Sequence, residues 1–274
     1  MSIEIPSGAA AYSDHNPPPK NRQVLLFLGL FLGTIILIVW VAGWLASGLV
    51  WLIPNSVEQQ LGKAVVPIYE AQAEPSVAQD TLNDLLNRIE TELPAQQRSD
   101  RDYQVLYIPE PVVNAAAIPG DRVLIYQGLL DEMGSENELM MVLGHELGHF
   151  ANRDHLRGLS RQIMVRLVLA AFLGDIGSIG AIATSSTSMI ANAQFSQQQE
   201  YQADEVGLQL LTKTYGHAAG ATDFFETLMG QQSLNLEILS SHPTSEKRVK
   251  RLESLIQKGG YQIGERSPLP RTLE

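Results

Sequence analysis

The sequence predicts an α+β domain, mainly helical, with a small β-sheet beside one buried helix and a single transmembrane helix ahead of them. Three observations carry that prediction. Val24 to Ile53 is an almost unbroken apolar run, three short segments between residues 103 and 126 have strand-like composition, and the segments after them recur at helical spacing. Strands followed by helices, rather than alternating with them, give the segregated order of an α+β fold.

At 274 residues and 45% hydrophobic content, the chain can bury one substantial core beside a membrane segment, and it is short for two full domains. The expected division is a disordered lead over 1–22, a membrane anchor over 23–53, a folded domain over 54–262 and a mobile tail over 263–274. The net charge of −11 arises after residue 53, because Glu4 and Asp14 cancel Lys20 and Arg22. This excludes a basic nucleic-acid footprint. With no cysteine in the chain, any metal must be held by His, Asp or Glu.

The lead is polar and contains "NPPPK", an extended proline stretch. The apolar run "VLLFLGLFLGTIILIVWVAGWLASGLVWLI" would be about 45 Å long as a helix, against a hydrocarbon core of about 30 Å. Residues 24–53 are therefore expected to contact membrane lipid in a single pass. A cleaved signal peptide is the alternative, but its apolar region is usually about 7 to 15 residues, and Trp40, Trp44 and Trp51 suit a far-side interface. Lys20 and Arg22 before the span, against Lys63 after it, give the expectation of a cytoplasmic N-terminus with the folded domain on the opposite, periplasmic or lumenal, side.

After Pro75, a stripe of Leu82, Leu85, Leu86, Ile89 and Leu93 predicts an amphipathic helix. "YQVLYI" (103–108), "VVNAAAI" (112–118) and "RVLIY" (122–126) predict strands, the last two joined as a hairpin through Pro119, Gly120 and Asp121. An edge of such a sheet can hold an extended peptide. Ser135 with Glu138 forms a capping-box pattern, so a helix starts near Glu136. Further helices are expected near 158–173, 198–213, 220–229 and 245–257, the last with Val249, Leu252, Leu255 and Ile256 inward and Gly259 at its end. The tail "GERSPLPRTLE" is polar and expected to move freely.

"VLGHELGHFANRDH" (142–155) lies on the capped helix. His145 and His149, four positions apart, project from one face and suit nitrogens about 2.0–2.1 Å from one zinc ion. Glu146 is turned by roughly 100° and can take a proton from water that zinc brings to a pKa of about 7. An HExxH occurs by chance in about one chain of this length in a hundred, so the motif alone does not decide. A third donor is needed for a catalytic ion that keeps a position open. "EYQAD" offers Glu200 toward the metal and Asp204, one turn on, toward the second ring nitrogen of a ligand histidine. Read alone, the same pair is a solvated acidic helix face.

HELGH followed by Glu200-x-x-x-Asp204 resembles the CAAX-type prenyl-protease and HtpX-like family of membrane-associated zinc metallopeptidases. "VNAAAIPG", "GLL", "SENELMMVLGHELGH" and "SHPTSEKRV" resemble its remaining motifs between about residues 100 and 257. Ala116 departs from the family, which often has an aromatic residue there. The resemblance implies a gluzincin-like metalloprotease domain, one Zn2+ per chain held by His145, His149 and Glu200, and Glu146 as general base. It further implies Asp204 behind a ligand histidine, Asn114 on the substrate backbone, and His242 and Arg248 approaching from the far side. His or Arg can serve a developing oxyanion. His242 has a second reading, as a plug on the open metal position.

The apolar stretch from Ile163 to Ile190 contains Arg166, Asp175 and three glycines. A single crossing there would separate His149 from Glu200, so it is expected as a buried helix and loop or a hairpin returning to the same side. His155 is expected to be structural, His217 to sit in a loop or helix start, and His15 in the lead. The resulting expectation is a membrane-anchored zinc endopeptidase acting on a polypeptide substrate, with misfolded membrane or envelope proteins as the class. The competing expectation is a non-catalytic membrane-bound adaptor or holdase whose zinc braces the fold.

Overall fold

The computed structural model describes residues 21–73, 75–160, 194–230, 238–243 and 246–273. Residues 1–20 of the expected lead, all of 163–190, and all but 158–160 of the helix expected at 158–173 lie outside them. Helix α1 (Asn21–Leu49) continues into a 3-10 turn, Val50–Leu52. Leu25, Phe27, Leu30, Ile36, Trp40 and Trp44 on α1 are each about two-thirds exposed. An apolar helix of this length with so much bare surface has the dimensions of a bilayer span.

Helix α2 (Asn55–Glu70) follows Pro54. Its Val65, Val66 and Tyr69 pack on the sheet residues Leu106, Ile108, Ile118 and Leu124. The close approach depends on Gly62: a Cβ there would stand 2.4 Å from the Cα of Gly120, which itself has φ +93°. Helix α3 (Val77–Glu90) is capped by Ser76, whose Oγ accepts the Gln79 N–H at 3.1 Å. Its expected stripe is buried. A short helix α4 (Ala95–Arg98) leads to the sheet.

The sheet has β1 (Gln104–Ile108), β2 (Ala115–Ile118) and β3 (Arg122–Tyr126) in the order β1-β3-β2. The hairpin is present, with Ala115 opposite Ile125 and Ile118 opposite Arg122. β1 lies parallel to β3. β2 starts at Ala115 rather than Val112, because the chain turns at 110–112 with Val112 N–H donating to the Glu110 carbonyl at 2.8 Å. Gly128 sits against that turn. The outer edge of β1 is covered by α3 side chains: Asn83 Oδ1 accepts Val105 N–H (2.9 Å), Gln79 Oε1 accepts Tyr107 N–H (2.6 Å), and the Gln79 amide donates to the Val105 carbonyl.

After α5 (Gln127–Asp131), helix α6 (Glu136–Ala151) runs through the core with every residue from Asn137 to Phe150 buried. Ser135 caps it as expected, and the Glu138 carboxylate accepts the Gly134 N–H at 2.8 Å. Helices α7 (Gln197–Tyr215), α8 (Asp223–Gly230), α9 (Ile238–Ser241) and α10 (Glu246–Gly259) follow among the described residues. α7 starts with a full capping box between Ser196 and Gln199. The left-handed residue after α10 is Gly260, one position beyond the glycine expected to end it.

The tail makes contacts with the domain. Ser267 accepts the Glu136 N–H (3.0 Å) and donates to Asn137 Oδ1 (2.7 Å), and Leu273 is buried in the main core. A polar sequence hid this, because the docking uses backbone groups to satisfy the otherwise unpaired first N–H of α6.

Candidate metal centre

The two helices that carry the predicted ligands meet through small residues. A Cβ on Gly144 would stand 3.0 Å from the Cα of Gly207, and one on Gly148 would stand 2.8 Å from the Cα of Ala203. This contact brings Glu200 on α7 to the histidines on α6. His145, Glu146, His149, Glu200, Asp204, His242 and Arg248 are all buried.

Each α6 histidine is oriented by a carboxylate. His145 Nδ1 lies 2.9 Å from Asp204 Oδ1, and His149 Nδ1 lies 3.0 Å from Asp154 Oδ2. With an Nδ1 proton donated to each carboxylate, both Nε2 atoms face inward, where they can bind an ion once they carry no proton. The two Nε2 atoms are 3.1 Å apart. Two nitrogens bound at about 2.05 Å with tetrahedral geometry would stand about 3.3 Å apart, so the pair fits one ion. Glu200 Oε1 is 3.4 Å from His149 Nε2, and its Oε2 is 3.7 Å from His145 Nε2. His242 Nδ1 is 3.2 Å from both His145 Nε2 and Glu200 Oε1. Donor atoms of His145, His149, Glu200 and His242 all fall within 4.8 Å of one another. Three imidazoles and a carboxylate without a cysteine form a donor set suited to zinc.

The electrostatics have the same origin. Burial pushes His149 down, but hydrogen bonds to Asp154 and Glu200 outweigh it and raise it to about 10. Burial dominates at His145 and lowers it against the pull of Asp204 and Glu200. Burial would raise Glu200, yet the charge of His242 and the bonds from His149 and His242 hold it well below the usual carboxylate range. Asp204 is lowered because the Arg248 and His145 hydrogen bonds overcome its burial.

The family resemblance places Arg248 near the reacting atoms. In the structure its Nε and Nη2 donate to Asp204 at 2.9 and 2.6 Å, its Nη1 pairs with Glu200, and its plane lies 4.6 Å over Phe225. Its guanidinium is thus committed behind two acidic residues. Glu146 Oε1 is 3.7 Å from His242 Nε2, and its Oε2 has no hydrogen-bond partner among the described residues. The cavity there, walled by Val142, Phe224, Phe225, Leu228 and Ile238, has room of about 10 Å³. That is space for about one water molecule. Asn114 is buried just before β2, its Oδ1 unpartnered among the described residues, and Ile238 N–H donates to the neighbouring Val113 carbonyl at 3.2 Å.

Sequence reasoning missed Asp154, although it stands in the quoted motif stretch, and Phe195, whose ring stacks on His149 with centroids 4.0 Å apart. His155 meets its structural expectation: Nε2 is 2.9 Å from Glu58 Oε1.

The profile of Peptidase family M48 matches residues 79–256. The chain is 30% identical over 155 residues to the mitochondrial metalloendopeptidase OMA1 of Arabidopsis thaliana, covering 55% of this chain and 31% of that protein. It is 31% identical over 158 residues to the metalloprotease LoiP of Escherichia coli, covering 55% and 61%. It is 26% identical over 211 residues to the beta-barrel assembly-enhancing protease of Escherichia coli, covering 70% and 42%. The chain therefore spans between about a third and three fifths of the length of these relatives.

Proposed function

The chain belongs to Peptidase family M48, and from that premise we propose that it is a membrane-anchored zinc metalloendopeptidase that hydrolyses peptide bonds in misfolded membrane or envelope proteins. The observation that carries this reading is the convergence of His145, His149, Glu200 and His242 beside Glu146, a buried carboxylate with an unpartnered oxygen among the described residues. His145, His149 and Glu200 would hold the ion. Bound there, zinc supplies the Lewis acidity that makes water nucleophilic near neutral pH. Glu146 takes the proton of the attacking water and returns it to the leaving amine. Asn114 Oδ1 accepts a substrate backbone N–H beside the β2 edge. Asp204 fixes the His145 ring, and Arg248 fixes Asp204 and Glu200.

The position of His242 Nδ1 among the donors supports the plug reading over the activator reading. It also favours one rival, a membrane-bound adaptor or holdase with a structural zinc closed by four protein ligands. Purified full-length chain in detergent separates them. Glu146→Gln is expected to keep zinc and fold while losing casein cleavage, and His149→Ala to lose the metal. Undiminished cleavage by the Glu146 variant would sink the mechanism.

The finer resemblance to the CAAX-type prenyl-protease and HtpX-like branch rests on the order of HELGH, Glu200-x-x-x-Asp204 and the late His242-Pro243 motif. Quality control as the role is suggested by anchoring and by the name of the beta-barrel assembly-enhancing relative. The anchor reading, with a cytoplasmic N-terminus and the domain over 54–262 on the other side, is supported by the exposed apolar surface of α1 and by Lys20 and Arg22 before it. Protease shaving of sealed vesicles tests it, since digestion of the domain from the cytoplasmic face alone would reverse the topology.

A further inference from the structure

His149 is followed five positions later by an acid that returns to it. Helix α6 ends with Asn152 N–H on the Gly148 carbonyl (3.0 Å) and Arg153 N–H on the Phe150 carbonyl (3.0 Å), and Arg153 has φ +55°. A left-handed residue after a helix reverses the chain, and a non-glycine there is strained. The reversal points the Asp154 carboxylate back under α6. Its Oδ2 meets His149 Nδ1 at 3.0 Å, and its Oδ1 accepts the Gln199 amide at 2.7 Å. Gln199 closes the capping box of α7 and directly precedes Glu200. One fully buried carboxylate thus joins the second histidine of α6 to the turn that presents the third ligand.

The residues on either side of Asp154 grip the segment next to the anchor. Arg153 donates to the carbonyls of Val50 (3.0 Å) and Ile53 and to Asn55 Oδ1 (2.8 Å). His155 meets Glu58, which Arg101 holds through two bonds of 2.6 and 3.0 Å. A glycine would satisfy the left-handed backbone at 153 more cheaply than arginine. The arginine supplies the grip.

We propose that Asp154 is a positioning residue for His149 and Glu200, and that the segment Val50–Glu58 fixes Asp154 through Arg153 and His155, so that the membrane-proximal segment is a working part of the metal centre. The proposal rests on the metal-site reading above and deepens it. Carboxylates behind ligand histidines commonly contribute about 10- to 100-fold in metal affinity.

The test uses full-length chain in detergent, with competitive zinc titration and the visible absorption of the cobalt-substituted protein as readouts. Asp154→Ala is expected to weaken zinc binding at least about tenfold and to shift the cobalt bands, and Asp154→Asn, which keeps an acceptor, to recover most of the loss. Arg153→Gly relieves the backbone strain yet removes the grip, and is expected to weaken zinc binding several-fold while changing the cobalt spectrum in the same direction. Wild-type affinity and spectrum in Asp154→Ala would overturn the positioning role, and in Arg153→Gly the link to the anchor segment. Should Asp154→Ala not fold, imidazole nitrogen-15 spectra decide: zinc-loaded wild type must carry the His149 proton on Nδ1, and Asp154→Asn must move that resonance. Metal on Nδ1, or an unmoved resonance, overturns the proposal. A wild-type chain that binds no zinc would instead defeat the metal-site reading itself.

Discussion

A Cβ placed on Gly148 would stand 2.8 Å from the Cα of Ala203 and 2.9 Å from its carbonyl oxygen. The helices that bring the imidazoles and the carboxylate together therefore touch backbone to backbone, one residue before His149. Gly148→Ala must push α6 and α7 apart. We expect about 1–3 kcal/mol of destabilisation in urea unfolding, from overpacking, together with less than one zinc per chain by metal analysis. Gly230→Ala, where no atom of the described residues lies within 4 Å of the added methyl, is the control and should change stability by no more than about 0.5 kcal/mol.

His149 is raised from 6.5 to about 10 in the absence of metal. It therefore carries a proton at pH 8, and that proton must leave when zinc binds to Nε2. Calorimetry in two buffers of different ionisation enthalpy should find about one proton released per zinc at pH 8. The apparent affinity should rise about tenfold per pH unit from neutrality until the pH passes about 10. The stabilisation that the charged ring gives the metal-free fold is complete below its unfolded value of about 6.5 and is lost as pH rises through about 10. A metal-free melting temperature that climbs across that window would contradict the assignment.

Glu58 is held at about 2, because bonds from His155 and Arg101 overcome the upward push of burial. A depressed acid contributes stability that is complete above its unfolded value of about 4.5 and disappears as pH falls through about 2. Urea midpoints of wild type and Glu58→Gln should differ most above pH 4.5 and converge toward pH 2. At pH 7, Glu58→Ala leaves His155 without this partner and Arg101 with Asp121 alone, at 2.6 Å; breaking a buried pair costs about 3–5 kcal/mol when the charge left behind is unpaired, so the retained Asp121 puts the expected loss at or below the lower end of that range.

His242→Ala is expected to raise casein turnover several-fold while zinc stays bound, because His145, His149 and Glu200 remain as donors. Lower turnover with zinc retained would return His242 to the activator role.

The parts of this molecule that are legible in the sequence are those whose signal is periodic or local. The stripe from Leu82 to Leu93 announces α3, Pro119-Gly120-Asp121 announces the hairpin, and HELGH with Glu200 announces three of the metal donors, with Asp204 one turn on behind His145. α2 is not legible, because Glu58 and Gly62 occupy buried positions where an amphipathic pattern needs apolar residues. Those residues make sense only beside Arg101, His155 and Gly120. Asp154 is not legible either, since its approach to His149 depends on a left-handed turn at an arginine, a residue type that does not announce such a turn. For Arg248 the sequence points to the right neighbourhood but not to what the side chain does there. Its fork matches Asp204 so closely that little of it remains to reach a substrate, and that fit exists only once α7 and α10 are packed.

Gln79 and Asn83 have one more effect beyond covering the outer border of β1. Strand-to-strand association between copies propagates only when each copy offers two free borders. Here one side is sealed by side-chain amides that imitate a neighbouring strand, so joining through β2 ends at a pair of molecules. A border closed in this way offers copies of the chain no second place to join strand to strand.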